Sequence, residues 1–197
     1  MWREENIYFF QPKEPVFDSN TVLIDGKDPV IVDPGTESRR YFQDILEATG
    51  NSFEDIEMVF FTHGHYDHFE GVSFFPEAKK IAFHPDSERI ENKTGFEVLG
   101  LNEERDLEIG GSVFKVIHTP GHSEGSCSLY LEGKILVSGD LVFANGSFGR
   151  TDLDGGSKED LKRSLEKVNK LDFKYLLPGH RDIGDMKSVE KALENFK

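Results

Sequence analysis

The apolar residues of the chain fall in short runs, each closed by a cluster of polar and turn-forming residues. Ile7-Tyr8-Phe9-Phe10, Thr21-Val22-Leu23-Ile24 and Pro29-Val30-Ile31-Val32 are rich in β-branched and aromatic residues and are predicted as strands. Asp25-Gly26-Lys27-Asp28 is a hairpin signal between the last two, and Asp33-Pro34-Gly35 closes the third. The period then changes: Phe42, Ile45, Leu46 and Thr49 share a helical face, with Gly50 as the stop. Residues 56–61 are predicted as a strand, 69–76 as a short helix or loop, 81–83 as a strand and 86–90 as a brief helix. Residues 92–102 show no period and are expected to be loop. A strand over 113–117 follows the Gly110-Gly111 turn, and 126–131 pairs with 134–137 about Glu132-Gly133. Residues 145–156 form a long polar loop. Ser157, with Asp160 three positions on, opens a helix striped by Leu161, Leu165 and Val168. Tyr175-Leu176-Leu177 is the last strand, and Val189, Ala192, Leu193 and Phe196 mark the last helix. Such alternation predicts an α/β chain in which two sheets pack together with helices outside. The polar clusters all follow strands, so they can share one edge of that sandwich.

A chain of 197 residues suits one domain, 1–197, with a proper hydrophobic core. No run approaches the length of a membrane span, and Met1-Trp2-Arg3-Glu4-Glu5 is followed by no apolar export signal. The single Cys127 cannot form an internal disulfide and fits a reducing cytoplasm. Lys and Arg number 23 against 37 Asp and Glu, a net charge of -14 that repels phosphate backbones. The expected partner is therefore a small molecule rather than nucleic acid or a membrane.

The chemistry concentrates in Phe60-Phe61-Thr62-His63-Gly64-His65-Tyr66-Asp67-His68. A strand that ends in a tight turn at Gly64 can aim His63 and His65 at one point, with Asp67 and His68 arriving from a second direction. Imidazole and carboxylate are the ligands of zinc, iron and manganese sites. Three further clusters follow strands. His118-Thr119-Pro120-Gly121-His122 offers His122, with His118 left as a structural histidine; Ser138-Gly139-Asp140 offers Asp140; Pro178-Gly179-His180 offers His180. His84 is read as structural or exposed. The set His63, His65, Asp67, His68, His122, Asp140 and His180 exceeds the needs of one tetrahedral ion. Two divalent ions about 3.5–4 Å apart, sharing Asp140 and a water, would use all of it.

With these residues in place, the chain resembles the metallo-β-lactamase-fold hydrolase superfamily, whose signature His-x-His-x-Asp-His is followed by His, Asp and His at later strand ends. The resemblance implies a four-layered αβ/βα sandwich with its site at one edge. It also implies that His63, His65 and His122 hold one metal, that Asp67, His68 and His180 hold a second, and that Asp140 bridges them. Asp33 matches a position that supports the site from behind. Zinc is the expected metal, and the same donors accept iron or manganese. Cys usually stands at the Asp140 position in the lactamases themselves. The segment Gly139-Asp140-Leu141-Val142-Phe143 with Phe148-Gly149-Arg150-Thr151-Asp152 resembles glyoxalase II, in the short form that lacks the long helical extension after His180. The Gly-Arg-Thr-Asp string also resembles the persulfide dioxygenases.

The expected activity is hydrolysis of an acyl-thioester by a metal-activated water, with Asp67 and Asp140 as the catalytic carboxylates. Arg150 is either the fork that holds a substrate carboxylate or a surface charge capping its loop. The rival enzyme is a mononuclear iron persulfide dioxygenase using His63, His122 and Asp140, with a lactone or ester hydrolase of the same fold as a further alternative. A scaffold with a remnant metal site is the non-enzymatic rival, and the complete ligand set argues against it.

Overall fold

Most strands are buried on both faces, which explains their nearly unbroken apolar runs. The computed structural model describes residues 1–12 and 18–196. Seven strands form one sheet: β1 (Trp2–Glu4), β2 (Ile7–Phe10), β3 (Thr21–Ile24), β4 (Val30–Val32), β5 (Met58–Phe61), β6 (Lys79–Phe83) and β7 (Leu99–Leu101), side by side in chain order. The second sheet has five: β8 (Arg105–Ile109), β9 (Ser112–His118), β10 (Cys127–Leu131), β11 (Ile135–Gly139) and β12 (Tyr175–Pro178), ordered β12-β11-β10-β9-β8. Among the described residues four α-helices accompany them: α1 (Arg39–Thr49), α2 (Asp86–Thr94), α3 (Lys158–Val168) and α4 (Met186–Asn195).

Side-chain alternation builds three apolar layers. Ile7, Phe9, Val22, Ile24, Val30, Val32 and Phe60 point inward to meet Phe114, Leu129, Ile135, Val137 and Leu177 between the sheets. Their neighbours Tyr8, Leu23, Ile31, Val59 and Phe61 point the other way and pack with Phe42, Ile45 and Leu46 of α1 and Ile90 of α2. On the far side Tyr130, Leu136 and Leu176 pack with Leu161, Leu165 and Val168 of α3 and Val189 of α4. The result is helices, sheet, sheet, helices: the four-layered αβ/βα sandwich.

Helix ends follow local chemistry. Gly50 closes α1 at φ 78, and the Ser157 hydroxyl accepts from the Asp160 amide to open α3.

The sequence reading fails at three of the four sheet edges; the fourth, β12, matches the strand expected at Tyr175-Leu176-Leu177. Residues 92–102 are not a loop: they hold the last turn of α2 and all of β7. β7 reads Leu-Gly-Leu, with Leu99 exposed and Leu101 buried, too short for a period. β8, Arg-Asp-Leu-Glu-Ile, was also hidden, because its outward charges suit an edge that must not pair with another chain. β1 is likewise an edge strand with a charged centre. Among the described residues no helix is long and apolar enough to cross a membrane.

Candidate metal centre

The ends of β4, β5, β9, β11 and β12 all open on one edge of the sandwich. β4 and β5 run parallel with Val32 opposite Phe60, which sets Asp33 beside Thr62. Asp33 is buried at φ 52, and its carboxylate accepts from the Thr62 amide (2.8 Å), the Thr62 hydroxyl (2.6 Å) and His68 Nδ1 (2.8 Å). Beyond β5, a 3-10 turn over Tyr66–His68 returns His68 toward the strand end, closed by a bond from the His68 amide to the His65 carbonyl. β11 and β12 are also parallel, and the Gly179 amide donates to the Gly139 carbonyl, so Asp140 and His180 leave adjacent strands together. A Cβ at Gly179 would stand 2.3 Å from Asp140 Oδ1, so glycine is what lets the strands approach.

All the expected ligands meet here. His65 Nδ1 lies 2.7 Å from His122 Nε2, and the rings of both pack edge-on against His63. His180 Nε2 lies 3.2 Å from Asp67 Oδ2, and His68 Nε2 lies 3.9 Å from the same oxygen. Asp140 sits between the two sets: Oδ1 is 3.4 Å from His68 Nε2, while Oδ2 is 3.5 Å from His122 Nε2 and 3.6 Å from His180 Nε2. Three groups have ligand atoms within 4.8 Å of one another: His63, His65 and His122; His63, His68 and Asp140; Asp67, His68 and His180.

The surroundings fix which ring nitrogen is bare. The Thr62 hydroxyl gives its proton to Asp33, so toward His63 Nδ1, 3.1 Å away, it can only accept. His63 therefore carries its proton on Nδ1 and leaves Nε2 as a lone pair. His122 donates from Nδ1 to the Arg150 carbonyl at 2.7 Å, with the same consequence, and His68 donates from Nδ1 to Asp33, so that Nε2 is the nitrogen its ring bares once it is neutral. His63 Nε2, His68 Nε2 and Asp140 Oδ1 are buried with no hydrogen-bond partner among the described residues, an arrangement costing roughly 1–3 kcal/mol per atom unless a cation fills it.

Charge follows the same division. Burial, then the neighbouring histidines, pushes His63 well below the ordinary imidazole range and His65 down to about 4. His68 goes up despite its burial, because Asp33 and Asp140 flank it. For Asp140 and Asp67, burial opposes ionisation but loses: His68, His180 and His122 hold Asp140 down, and His180 and His68 hold Asp67 down. Neutral His63 and His65, ionised Asp67 and Asp140, and a His68 that can shed its second proton to a cation together fit divalent metal ions. Cys127 is buried and its thiol is pushed well up, outside this set.

Arg150 arrives differently from the ligands. Its carbonyl orients His122, while its guanidinium is exposed and forks onto Asp152 at 2.9 and 2.7 Å. It lines a cavity of about 700 Å³ with Asp67, Phe143, His180 and Arg181. His118 stacks on Phe83 and His84 is half-exposed, both away from the cluster. Sequence reasoning missed Thr62, Asp86 and Arg181. Thr62 and Arg181 each adjoin a candidate ligand histidine, the one signal that could have found them; Asp86 follows Pro85 in a separate stretch and gave none.

A family profile described as the metallo-beta-lactamase superfamily matches residues 15–180. The Methanocaldococcus jannaschii protein named "Probable metallo-hydrolase MJ0888" is 32% identical over 199 residues, covering 89% of this chain and 94% of its own. The hydroxyacylglutathione hydrolase GloC of Haemophilus influenzae is 31% identical over 172 residues, 76% of this chain and 78% of its own. Among solved structures, the BLEG-1 B3 metallo-beta-lactamase is 27% identical with a TM-score of 0.76, covering 92% of this chain and 95% of its own. TTHA1623, in a di-iron-bound form, is 29% identical with a TM-score of 0.74, covering 94% of this chain and 96% of its own.

Proposed function

We propose that this chain, which belongs to the metallo-beta-lactamase superfamily and is a metal-dependent hydrolase-type enzyme, cleaves acyl-thioesters of the hydroxyacylglutathione kind. The observation that carries the thioester over other esters is the 31% identity to a hydroxyacylglutathione hydrolase across most of both chains. In this reading His63, His65 and His122 hold one divalent ion, Asp67, His68 and His180 a second, and Asp140 faces both. Divalent metal held by these residues would supply a water of lowered pKa and a Lewis acid for the thioester carbonyl. Zinc, iron and manganese all suit these donors.

The chain's own groups do the rest. Asp67 is partly exposed to the cavity and its carboxyl is held down by His180 and His68, so it orients water as a hydrogen-bond acceptor more than it removes a proton. Asp140 keeps the two sets of imidazoles in register through its two oxygens. A thiol leaving group has a pKa near 8.5, so the sulfur departs as thiolate without a strong general acid. Arg181, with no carboxylate within 4.0 Å among the described residues, is the freer of the two guanidiniums at the cavity; Arg150 is already forked onto Asp152.

A second reading, β-lactam hydrolysis, is favoured by the 27% identity to a B3 lactamase. One panel separates them. Metal-loaded protein is given S-D-lactoylglutathione, glutathione persulfide and a chromogenic cephalosporin, with a thiol reagent and an oxygen electrode recording together. Thiol release from the thioester without oxygen uptake is expected. Faster ring opening of the cephalosporin, or oxygen consumed with the persulfide and no thioester cleavage, would overturn the proposal.

A further inference from the structure

A buried carboxylate outside the ligand set joins the two turns that carry His63, His65 and His122. Asp86 begins α2, where the helix N-terminus favours a negative charge, and only 1% of it is exposed. Its Oδ2 accepts from the Gly64 amide at 2.8 Å, in the turn between His63 and His65. The same oxygen accepts from the Ser123 hydroxyl at 2.5 Å, next to His122. Ser123 is held in turn by Ser126, whose hydroxyl lies 2.6 Å from it and accepts from the Ser123 amide at 3.1 Å. Glycine on both sides makes room: a Cβ at Gly64 would stand 3.2 Å from Asp86 Cβ, and one at Gly125 2.7 Å. The other oxygen, Oδ1, is buried with no partner.

A carboxylate in this position is costly, since an apolar residue would fill the slot without an orphaned oxygen. What it supplies is one acceptor shared by two loops that come from different sheets. Gly64 follows β5 of the first sheet, and Ser123 follows β9 of the second. Nothing equivalent to this bond ties Asp67, His68 or His180 to Asp86. We propose that Asp86 is a positioning residue that clamps the two turns so that His63, His65 and His122 present their nitrogens to one ion. The inference rests on the metal-binding reading above and adds a selectivity to it: loss of the clamp weakens one ion and spares the other.

The test is stepwise Zn²⁺ titration of metal-free protein against a competing chelator. Imidazole ¹⁵N shifts of His122 and His180 report which set fills. Asp86→Ala is expected to weaken the His122-reported ion by about 10–100-fold and the His180-reported ion by less than about threefold. Ser123→Ala, which removes one arm of the clamp, should show a smaller loss with the same selectivity. Asp86→Asn keeps a carbonyl oxygen in place of Oδ2 and should restore binding. Equal weakening of both ions, or no weakening in a folded variant, overturns the clamp. If Asp86→Ala does not fold, Ser123→Ala decides by the same criterion. Wild-type protein that takes up no ion would instead defeat the metal reading itself.

Discussion

Replacing Asp33 with Asn should disturb both ligand sets from a residue that touches neither ion. The backbone at Asp33 has φ 52, a conformation Asn tolerates, so the substitution changes hydrogen bonding and charge rather than the turn. With its carbonyl oxygen in the place of Oδ1, the amide still accepts from the Thr62 N–H. Its NH2 then replaces the oxygen that received the Thr62 hydroxyl and His68 Nδ1. His68 must become the acceptor, which moves its proton to Nε2. Thr62 turns its own proton toward His63 Nδ1, which moves the His63 proton to Nε2 as well. Both nitrogens that face the centre are blocked. The escape is to flip the amide, which sets its NH2 against the Thr62 N–H and leaves a buried donor unpaired, at roughly 1–3 kcal/mol. That range converts to about 5–150-fold in affinity at 1.36 kcal/mol per decade. One flip frees both histidines, so the first ion bears the cost and the second binds close to normally. Chelator-competition isotherms should therefore weaken overall and become more cooperative. Long-range ¹⁵N spectra of the metal-free variant at alkaline pH should show protons on Nε2 of His63 and His68. Thr62→Val should affect His63 alone. An unchanged isotherm, or Nδ1 protonation of both rings in the Asn variant, refutes the relay.

Metal binding should release protons unequally. His68 is raised above its ordinary value of 6.5 and must shed a proton to ligate, so the affinity of the Asp67–His68–His180 set rises with pH through the range above 6.5. His63 and His65, both lowered, are already neutral in that range and add nothing to that slope; calorimetry in buffers of different ionisation enthalpy measures the difference. Arg181→Ala should raise KM for an anionic thioester several-fold with kcat and metal content nearly unchanged, and an equal effect on an uncharged thioester would remove its role. Stripping metal with a chelator should lower Tm: an ion held at about 1,000 times its Kd adds about 4.1 kcal/mol to the native state. For a chain of this size that is about 8–16 °C by calorimetry, at roughly 2–4 °C per kcal/mol.

The candidate ligands were legible because a metal demands particular atoms close together, and His63, His65, Asp67 and His68 sit within one turn of chain. The inner strands were legible because burial on both faces leaves only apolar residues, as in Val30–Val32 and Met58–Phe61. The edges were not. β1, β7 and β8 pair on one side only, so their sequences answer to solvent as much as to the core. The supporting shell was hidden for a different reason. Asp86 is 37 positions from Ser123 and 22 from Gly64, and a carboxylate at a helix start reads as an ordinary first-turn acid until the fold closes over it.

The origin of the candidate ligands explains what that shell supplies. His63, His65, Asp67 and His68 follow β5 of the first sheet, whereas His122, Asp140 and His180 follow strands of the second. Each set therefore draws on both sheets, and its geometry depends on how the two halves of the sandwich sit against each other. An apolar layer such as the one joining Phe60 to Leu129 supplies attraction without direction. Register across that layer has to come from directional bonds at the edge. Asp86 joins the β5 turn to the β9 turn, the Cys127 amide reaches from β10 to the Thr62 carbonyl, and the Asn20 amide donates to the Gly179 carbonyl at 2.6 Å beside His180. These bonds surround the ligands and cross between the sheets at the places where a shift of one strand end would pull the two halves of each set apart.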